Sequence, residues 1–207
     1  MMIFLILVPF AAFAGLTLVA SAPVSLFGAA AVALATIAWD LSRGASIKIL
    51  ASGAAILFVA LGCYLTLIDA TLSTPSVRLA VDSGVLVIAL LSIVLRYPFT
   101  LQYAREVVDA ETTKLPGFMR ANYIISWAWT AAFLLMVIAN VLMIYLPSLP
   151  LWTGIAIALA ARNSAALFTK WYPKHRMAMM ASDGDDGQAG PPRPHPSILT
   201  RHPEKAS

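Results

Sequence analysis

Arg162 and Asn163 sit in the middle of a run from Leu151 to Phe168 in which no other residue can hold a charge. An arginine placed centrally in a membrane helix costs roughly 2.5–3.5 kcal/mol on insertion scales, so such a residue is by default a functional hypothesis. Its planar fork of donors suits a carboxylate, a phosphate or a polar solute. Counted from Pro150 at 1.5 Å per helical residue, Arg162 lies about 18 Å down the run; counted back from Trp171 it lies about 13 Å from the other boundary. Asn140, and Ser126 below it, offer hydrogen bonds from the preceding apolar run, whereas no acidic residue stands at an obviously matching depth. Arg162, Asn163 and Asn140 therefore form a candidate polar cavity. The competing account is that Arg162 snorkels to the nearer surface, helped by tilt or local thinning.

The second concentration of chemistry is Arg96-Tyr97-Pro98-Phe99-Thr100-Leu101-Gln102-Tyr103-Ala104-Arg105-Glu106. From Phe99 to Ala110 the pattern predicts a short amphipathic helix. Leu101, Ala104, Val107 and Val108 share one face, and Gln102, Arg105, Glu106 and Asp109 the other. Arg105 and Asp109 stand four apart, close enough on a helix to pair. Such a helix would lie among headgroups with Tyr97, Phe99 and Tyr103 as anchors; the sharper alternative makes Arg96, Arg105 and Glu106 a polar site at a cavity mouth. This segment resembles a cytoplasmic loop of small multi-pass bacterial inner-membrane proteins of uncharacterised function, which contain an Arg-Pro-Phe-Thr-Leu-Gln-Tyr-Ala-Arg-Glu run; here Tyr97 separates the arginine from the proline. The resemblance covers chiefly this loop and implies a bacterial inner-membrane setting, with no particular activity.

Other polar residues yield blander readings. Asp69 and Asp82 flank the outer end of a hairpin with Arg78 between them, which reads as loop charges with a local ion pair. Asp40 beside Trp39 reads as a marker of the inner boundary. Asp183, Asp185 and Asp186 lack the remaining spacing and the closing Glu of a calcium loop. His175, His195 and His202 all fall in the C-terminal tail, so no buried imidazole metal site is expected, and no cofactor is implied. Cys63 is alone, which excludes an intramolecular disulfide. There is no paired-His metal motif, serine elbow or Asp-rich diphosphate site, and no catalytic residue is assigned.

The elements that must hold these residues are apolar and long. The chain is 60% hydrophobic and 12% charged, with mean hydropathy +0.81, against about 25% charged in soluble domains. No charged side chain occurs from Met1 to Trp39 or from Tyr123 to Ala161. A helical crossing needs about 20 apolar residues, and the runs predict an all-α polytopic transmembrane bundle of about six spans. These cover Met2–Ala20, Val24–Trp39, Ile49–Ile68, Arg78–Leu95, Tyr123–Leu146 and Pro150–Tyr172, with the short interfacial helix between spans four and five. Pro173 is expected to end the sixth. Val19-Ala20-Ser21-Ala22 imitates a cleavage site, but the run before it has no basic start and is too long for a signal peptide. Small-residue spacings such as Ser25-xxx-Ala29-xxx-Ala33 and Gly154-xxx-Ala158 permit close packing.

Basic residues are retained on the cytoplasmic side. Arg43 and Lys48 follow the second span; Arg96, Arg105, Lys114 and Arg120 the fourth; Lys170, Lys174 and Arg176 the sixth. The intervening connections hold only Arg78, so both termini are expected in the cytoplasm of a cell whose inner membrane holds the chain. The net charge of +4 is thereby a topological signal and not a nucleic-acid footprint. Residues 1–172 form the expected membrane domain and 173–207 a mostly disordered tail, in which Pro191-Pro192-Arg193-Pro194-His195-Pro196 is compatible with polyproline II.

Three functions fit these residues. The first is a small-molecule permease, or a membrane subunit of one, with Arg162 and Asn163 in its cavity and the Arg96–Glu106 loop as its gate. The second is a non-catalytic envelope or assembly protein that binds a membrane-protein partner. The third and weakest is a lipid-modifying enzyme. Beyond the bilayer, the partner is thus a small-molecule substrate or another membrane protein.

Overall fold

The computed structural model describes residues 3–146 and 148–186; the Pro191–Pro196 segment, His195 and His202 lie outside the described residues. It is all-helical, with no strand among the described residues. The helices are α1 (Ile3–Leu16), α2 (Ala22–Ser42), α3 (Ile49–Leu67), α4 (Thr74–Val94), α5 (Phe99–Arg105), α6 (Ala110–Lys114), α7 (Pro116–Tyr145) and α8 (Leu151–Asp186). Packing divides the chain into two units, residues 1–172 and 173–207.

Four helices are long and apolar enough to cross a membrane: α2, α3, α4 and the Gly117–Tyr145 part of α7. Only about a third of each is buried within the chain. The outward surface is as apolar as the inward one, with Leu34, Ile56, Val87, Leu91, Leu134 and Ile138 all exposed. Water would not tolerate so continuous an apolar exterior; lipid requires it. With lipid tails as apolar as leucine, helix association rests on close packing. The α4 stripe Val77, Val81, Val85 and Ala89 is buried at four-residue spacing. At Gly62 of α3 a Cβ would meet the Phe27 ring of α2 at 2.9 Å, so glycine is what permits that approach. Phe10 and Phe13 of α1 both pack tilted against Phe58 of α3, at centroid distances of 5.5 and 5.7 Å.

Neighbours in sequence pack in order, α1 on α2, α2 on α3 and α3 on α4, and α7 closes against α4. Several expected boundaries shift. The α2 helix runs on to Ser42, and α4 begins at Thr74 because Ser73 caps it by accepting from the Ser76 N–H at 3.4 Å, with Pro75 in the first turn. Thus Asp82, expected at a hairpin end, stands inside α4. The α7 helix starts at Pro116, one turn and more before Tyr123. Pro173 does not end the sixth run: α8 continues through it to Asp186, so the tail expected to lack structure begins helical. A proline forfeits one backbone bond and crowds the preceding turn, which a helix can absorb as a kink.

The connection after α4 departs most from expectation. The helix predicted over 99–110 is only seven residues long, and Phe99, Thr100, Leu101, Gln102 and Tyr103 are all buried. Gln102 was placed on the outer face and is inside, whereas Val107, placed inside, is 70% exposed. Asp109 does not pair with Arg105; it caps α6, accepting from the Thr112 N–H at 2.8 Å, and the Thr112 side chain first, then that backbone bond, hold its carboxyl below the usual range.

Two helix ends beside this connection share one geometry. At the end of α2 the Gly44 N–H donates to Leu41 O (3.0 Å) and the Ala45 N–H to Asp40 O (2.9 Å), with Gly44 at φ 71°. At the end of α4 the Arg96 N–H donates to Ile93 O and the Tyr97 N–H to Ser92 O, both at 3.0 Å, with Arg96 at φ 58°. Both are Schellman closures, which favour glycine at the left-handed position. Arginine there costs on the order of 1–2 kcal/mol. Arg96→Gly should therefore raise the unfolding temperature of the detergent-solubilised protein by roughly 2–4 °C, and Arg96→Val should lower it; thermal unfolding of both variants beside wild type reads the difference.

Candidate functional site

Polar side chains gather at two places in residues 1–172, one at each end of the bundle. The first is built on α5. Thr100 donates to Asn122 O at 2.9 Å and lies 2.7 Å from Ser126 Oγ, which fastens α5 to α7. Phe99 packs its ring 6.4 Å from Phe133 on the same helix. On the other side, Gln102 Oε1 accepts from the Ile49 N–H at 2.7 Å and its Nε2 donates to Ile47 O at 3.2 Å. That carboxamide satisfies two backbone groups of the α2–α3 connection, where the helical ladder is broken.

Lys48 lies in the same connection and is buried. Its Nζ is 2.6 Å from Asp40 Oδ2 and 3.2 Å from Glu106 Oε1, and it stands over the Tyr103 ring at 5.4 Å. The Glu106 contact is an ion pair by distance but not a hydrogen bond by angle, and Glu106 Oε1 has no hydrogen-bond partner among the described residues. The Tyr103 phenol is pushed well above its ordinary value by burial first, then by the Asp40 and Glu106 charges. A raised folded-state value means the folded chain keeps this proton where the unfolded chain loses it. Its contribution to stability is full below the ordinary tyrosine value of about 10 and is lost as pH rises through the folded one.

The second cluster lies at the opposite end, where Arg78 of α4 donates to Thr17 Oγ1 beyond α1 at 3.2 Å. One turn deeper, Asp82 Oδ2 accepts from Asn140 Nδ2 of α7 at 2.6 Å. Asp82 also lies within electrostatic reach of Arg162 on α8 and of Arg78. No ion pair within 4 Å joins Asp82 to either arginine, and Arg162 Nε is buried with no hydrogen-bond partner among the described residues. At 1.5 Å per residue, Asp82 is about 12 Å below the start of α4, Asn140 about 8 Å from the end of α7 and Arg162 about 17 Å below the start of α8.

The expected site residues are thus partly reunited. Asn140 bonds Asp82, Arg162 lies within electrostatic reach of that carboxylate without bonding Asn140, and Asn163 is exposed. Ser126, expected to partner Arg162, is engaged by Thr100 instead. Of the loop residues only Glu106 enters the cluster around Lys48. Arg96 is exposed, and Arg105 turns outward to Tyr97, with a 3.2 Å bond to its hydroxyl and the guanidinium 5.7 Å from its ring. Lys48, Gln102, Tyr103 and Asp82 were not singled out as site residues in the sequence. For Asp82 the signal was the Ser73-Thr74-Pro75 helix start, from which counting places it two turns inside. Among the described residues no three of His, Cys, Asp and Glu gather as a metal site.

A separate groove of about 460 Å³ runs between α7 and α8, lined by apolar residues including Ala128, Ala132, Leu135, Ala161 and Phe168. No family model, curated protein or solved structure matches the chain.

Removing one member of a buried ion pair strands its partner's charge, at about 3–5 kcal/mol. The Asp40 and Glu106 side chains each retain 18% exposure, which water exploits to soften that penalty. Lys48→Met should therefore destabilise by about 2–4 kcal/mol, and adding Asp40→Asn and Glu106→Gln should recover most of the loss. Unfolding midpoints of the single and triple variants test this; a triple variant no better than the single would mean that the ammonium's packing, not its charge, matters.

Proposed function

We propose that the chain is a small-molecule permease, or the membrane subunit of a transport system, in the inner membrane of a bacterial cell. It crosses six times, α1 and the first part of α8 supplying the outermost spans. The observation behind this reading is the Asp82–Asn140 bond between α4 and α7 within the bundle, together with a partly buried Arg162 on α8 whose Nε has no hydrogen-bond partner among the described residues. Intramembrane ionisable residues mark substrate and ion pathways more often than they stabilise a fold. The α5 segment, wedged between the α2–α3 connection and α7, then closes the inner end as a gate, lying at headgroup level with Tyr97 and Arg105 facing outward.

Orientation follows the basic residues. Arg43, Lys48, Arg96 and Arg105 belong to connections that meet at the α5 end, as the Lys48–Glu106 contact requires. That end faces the cytoplasm and both termini lie there.

A second reading, a non-catalytic assembly protein, draws on the open groove between α7 and α8, whose small side chains would admit another helix. The two readings predict different behaviour for the interior arginine. A gene-deletion strain complemented with Arg162→Leu, at matched protein level, should show the deletion's metabolite profile if transport is the function, and Arg162→Lys should restore part of it. Full restoration by Arg162→Leu would instead favour assembly.

A further inference from the structure

The arginines beside α5 are left over once the local charges are paired. Lys48 takes Asp40 and Glu106, Lys114 takes Glu111, and Asp109 caps α6. Arg105 therefore has neither neighbouring carboxylate and turns to Tyr97, donating to its hydroxyl at 3.2 Å with the guanidinium 5.7 Å from the ring. That bond uses the phenol oxygen as acceptor and leaves its O–H with no acceptor among the described residues. A guanidinium and a hydroxyl thus stand side by side, both exposed and both with donors to spare. Arg96, next to Tyr97 in the chain, is exposed too, and its side chain makes no hydrogen bond or ion pair among the described residues. Yet its backbone holds φ 58°, a conformation glycine would hold at less cost. Strain kept at a residue whose side chain adds no contact to the fold argues for a use outside it.

These three residues follow directly on α4, a helix long and apolar enough to cross a membrane. Val94, which ends that helix, and Leu95 after it are both exposed apolar surface. We propose that Arg96, Tyr97 and Arg105 bind the phosphodiester headgroup of an anionic phospholipid, whose acyl chains lie along Val94 and Leu95. The Arg105 guanidinium and the Tyr97 hydroxyl donate to one phosphate together, in charge-assisted hydrogen bonds, and Arg96 adds a second positive charge. With both adjacent carboxylates engaged elsewhere, the patch repels the trimethylammonium of a choline lipid and selects a headgroup of net negative charge. The inference needs only that α4 crosses the bilayer, and holds whether the chain transports or assembles.

The test uses the full chain purified in detergent and unfolded thermally in mixed micelles. These contain either phosphatidylglycerol or phosphatidylcholine at the same mole fraction. Phosphatidylglycerol should raise the wild-type midpoint by roughly 2–4 °C over phosphatidylcholine, as partial saturation of one native-state site gives. Arg105→Gln and Tyr97→Phe should each lose at least half of that difference. Arg96→Gly relieves the backbone strain and should be the more stable protein in detergent alone, yet it too should lose at least half, a loss that failed folding cannot explain. Arg43→Gln removes an equal, exposed charge at the end of α2 and should keep the difference. Inorganic phosphate at matched ionic strength should give no shift, since it lacks the acyl chains. The proposal is overturned by no lipid-specific difference in wild type, by its full retention in any of the three site variants, or by a phosphate shift equal to the lipid's. An equal loss in Arg43→Gln overturns it as well, because net charge alone would then attract the lipid.

Discussion

A bilayer offers no partner to a backbone that leaves its helix, and the constraint is felt most at the inner end of this bundle, where α2 stops, α3 starts and α4 gives way to a non-spanning connection. Gln102 meets it with a single side chain: its carbonyl takes the Ile49 N–H and its amide reaches Ile47 O. Thr100, two residues earlier, binds the Asn122 carbonyl and faces Ser126. One seven-residue helix thereby bridges the α2–α3 connection and α7, which are distant in sequence. The Lys48 ammonium, shared between Asp40 and Glu106 under the Tyr103 ring, is the electrostatic counterpart of the same joint.

With the inner end locked in this way, the polarity left within the spans is at the other end. Asp82 and Asn140 tie α4 to α7 by a bond that lipid cannot compete for, and Arg162 comes near without completing a pair. The arrangement is asymmetric. At the α5 end one ammonium faces two carboxylates and Glu106 Oε1 is left without a hydrogen bond among the described residues, whereas within the spans it is a donor, Arg162 Nε, that is left without one. That difference is why the transport reading is centred on Arg162 and the loop is assigned the role of closure.

Much of this was legible in the sequence. Charge-free runs gave apolar helices, four of which are long and apolar enough to cross a membrane. Arg162 announced itself as a lone charge among alanines, but Asn140, expected as its partner, bonds Asp82 instead. What was not legible depends on contacts between distant segments. Period alone put Gln102 on a solvent face, because an amphipathic pattern is blind to a carboxamide needed by a backbone 53 residues away. Lys48 read as a loop charge for the same reason: one of its carboxylates comes from the last turns of α2 and the other from beyond α5. Asn163 was misassigned by adjacency, since a residue next to Arg162 on a helix points about 100° away from it.

In the proposed arrangement the α5 end faces the cytoplasm and the Arg78–Asp82 end faces outward. Single cysteines introduced by Ser73→Cys, Ser148→Cys, Ser46→Cys and Thr113→Cys, each in a Cys63→Ser background, test it with a membrane-impermeant thiol reagent on intact cells. Positions 73 and 148 should react, and positions 46 and 113 should react only after the membrane is opened. Labelling of position 113 from outside in intact cells would contradict the account.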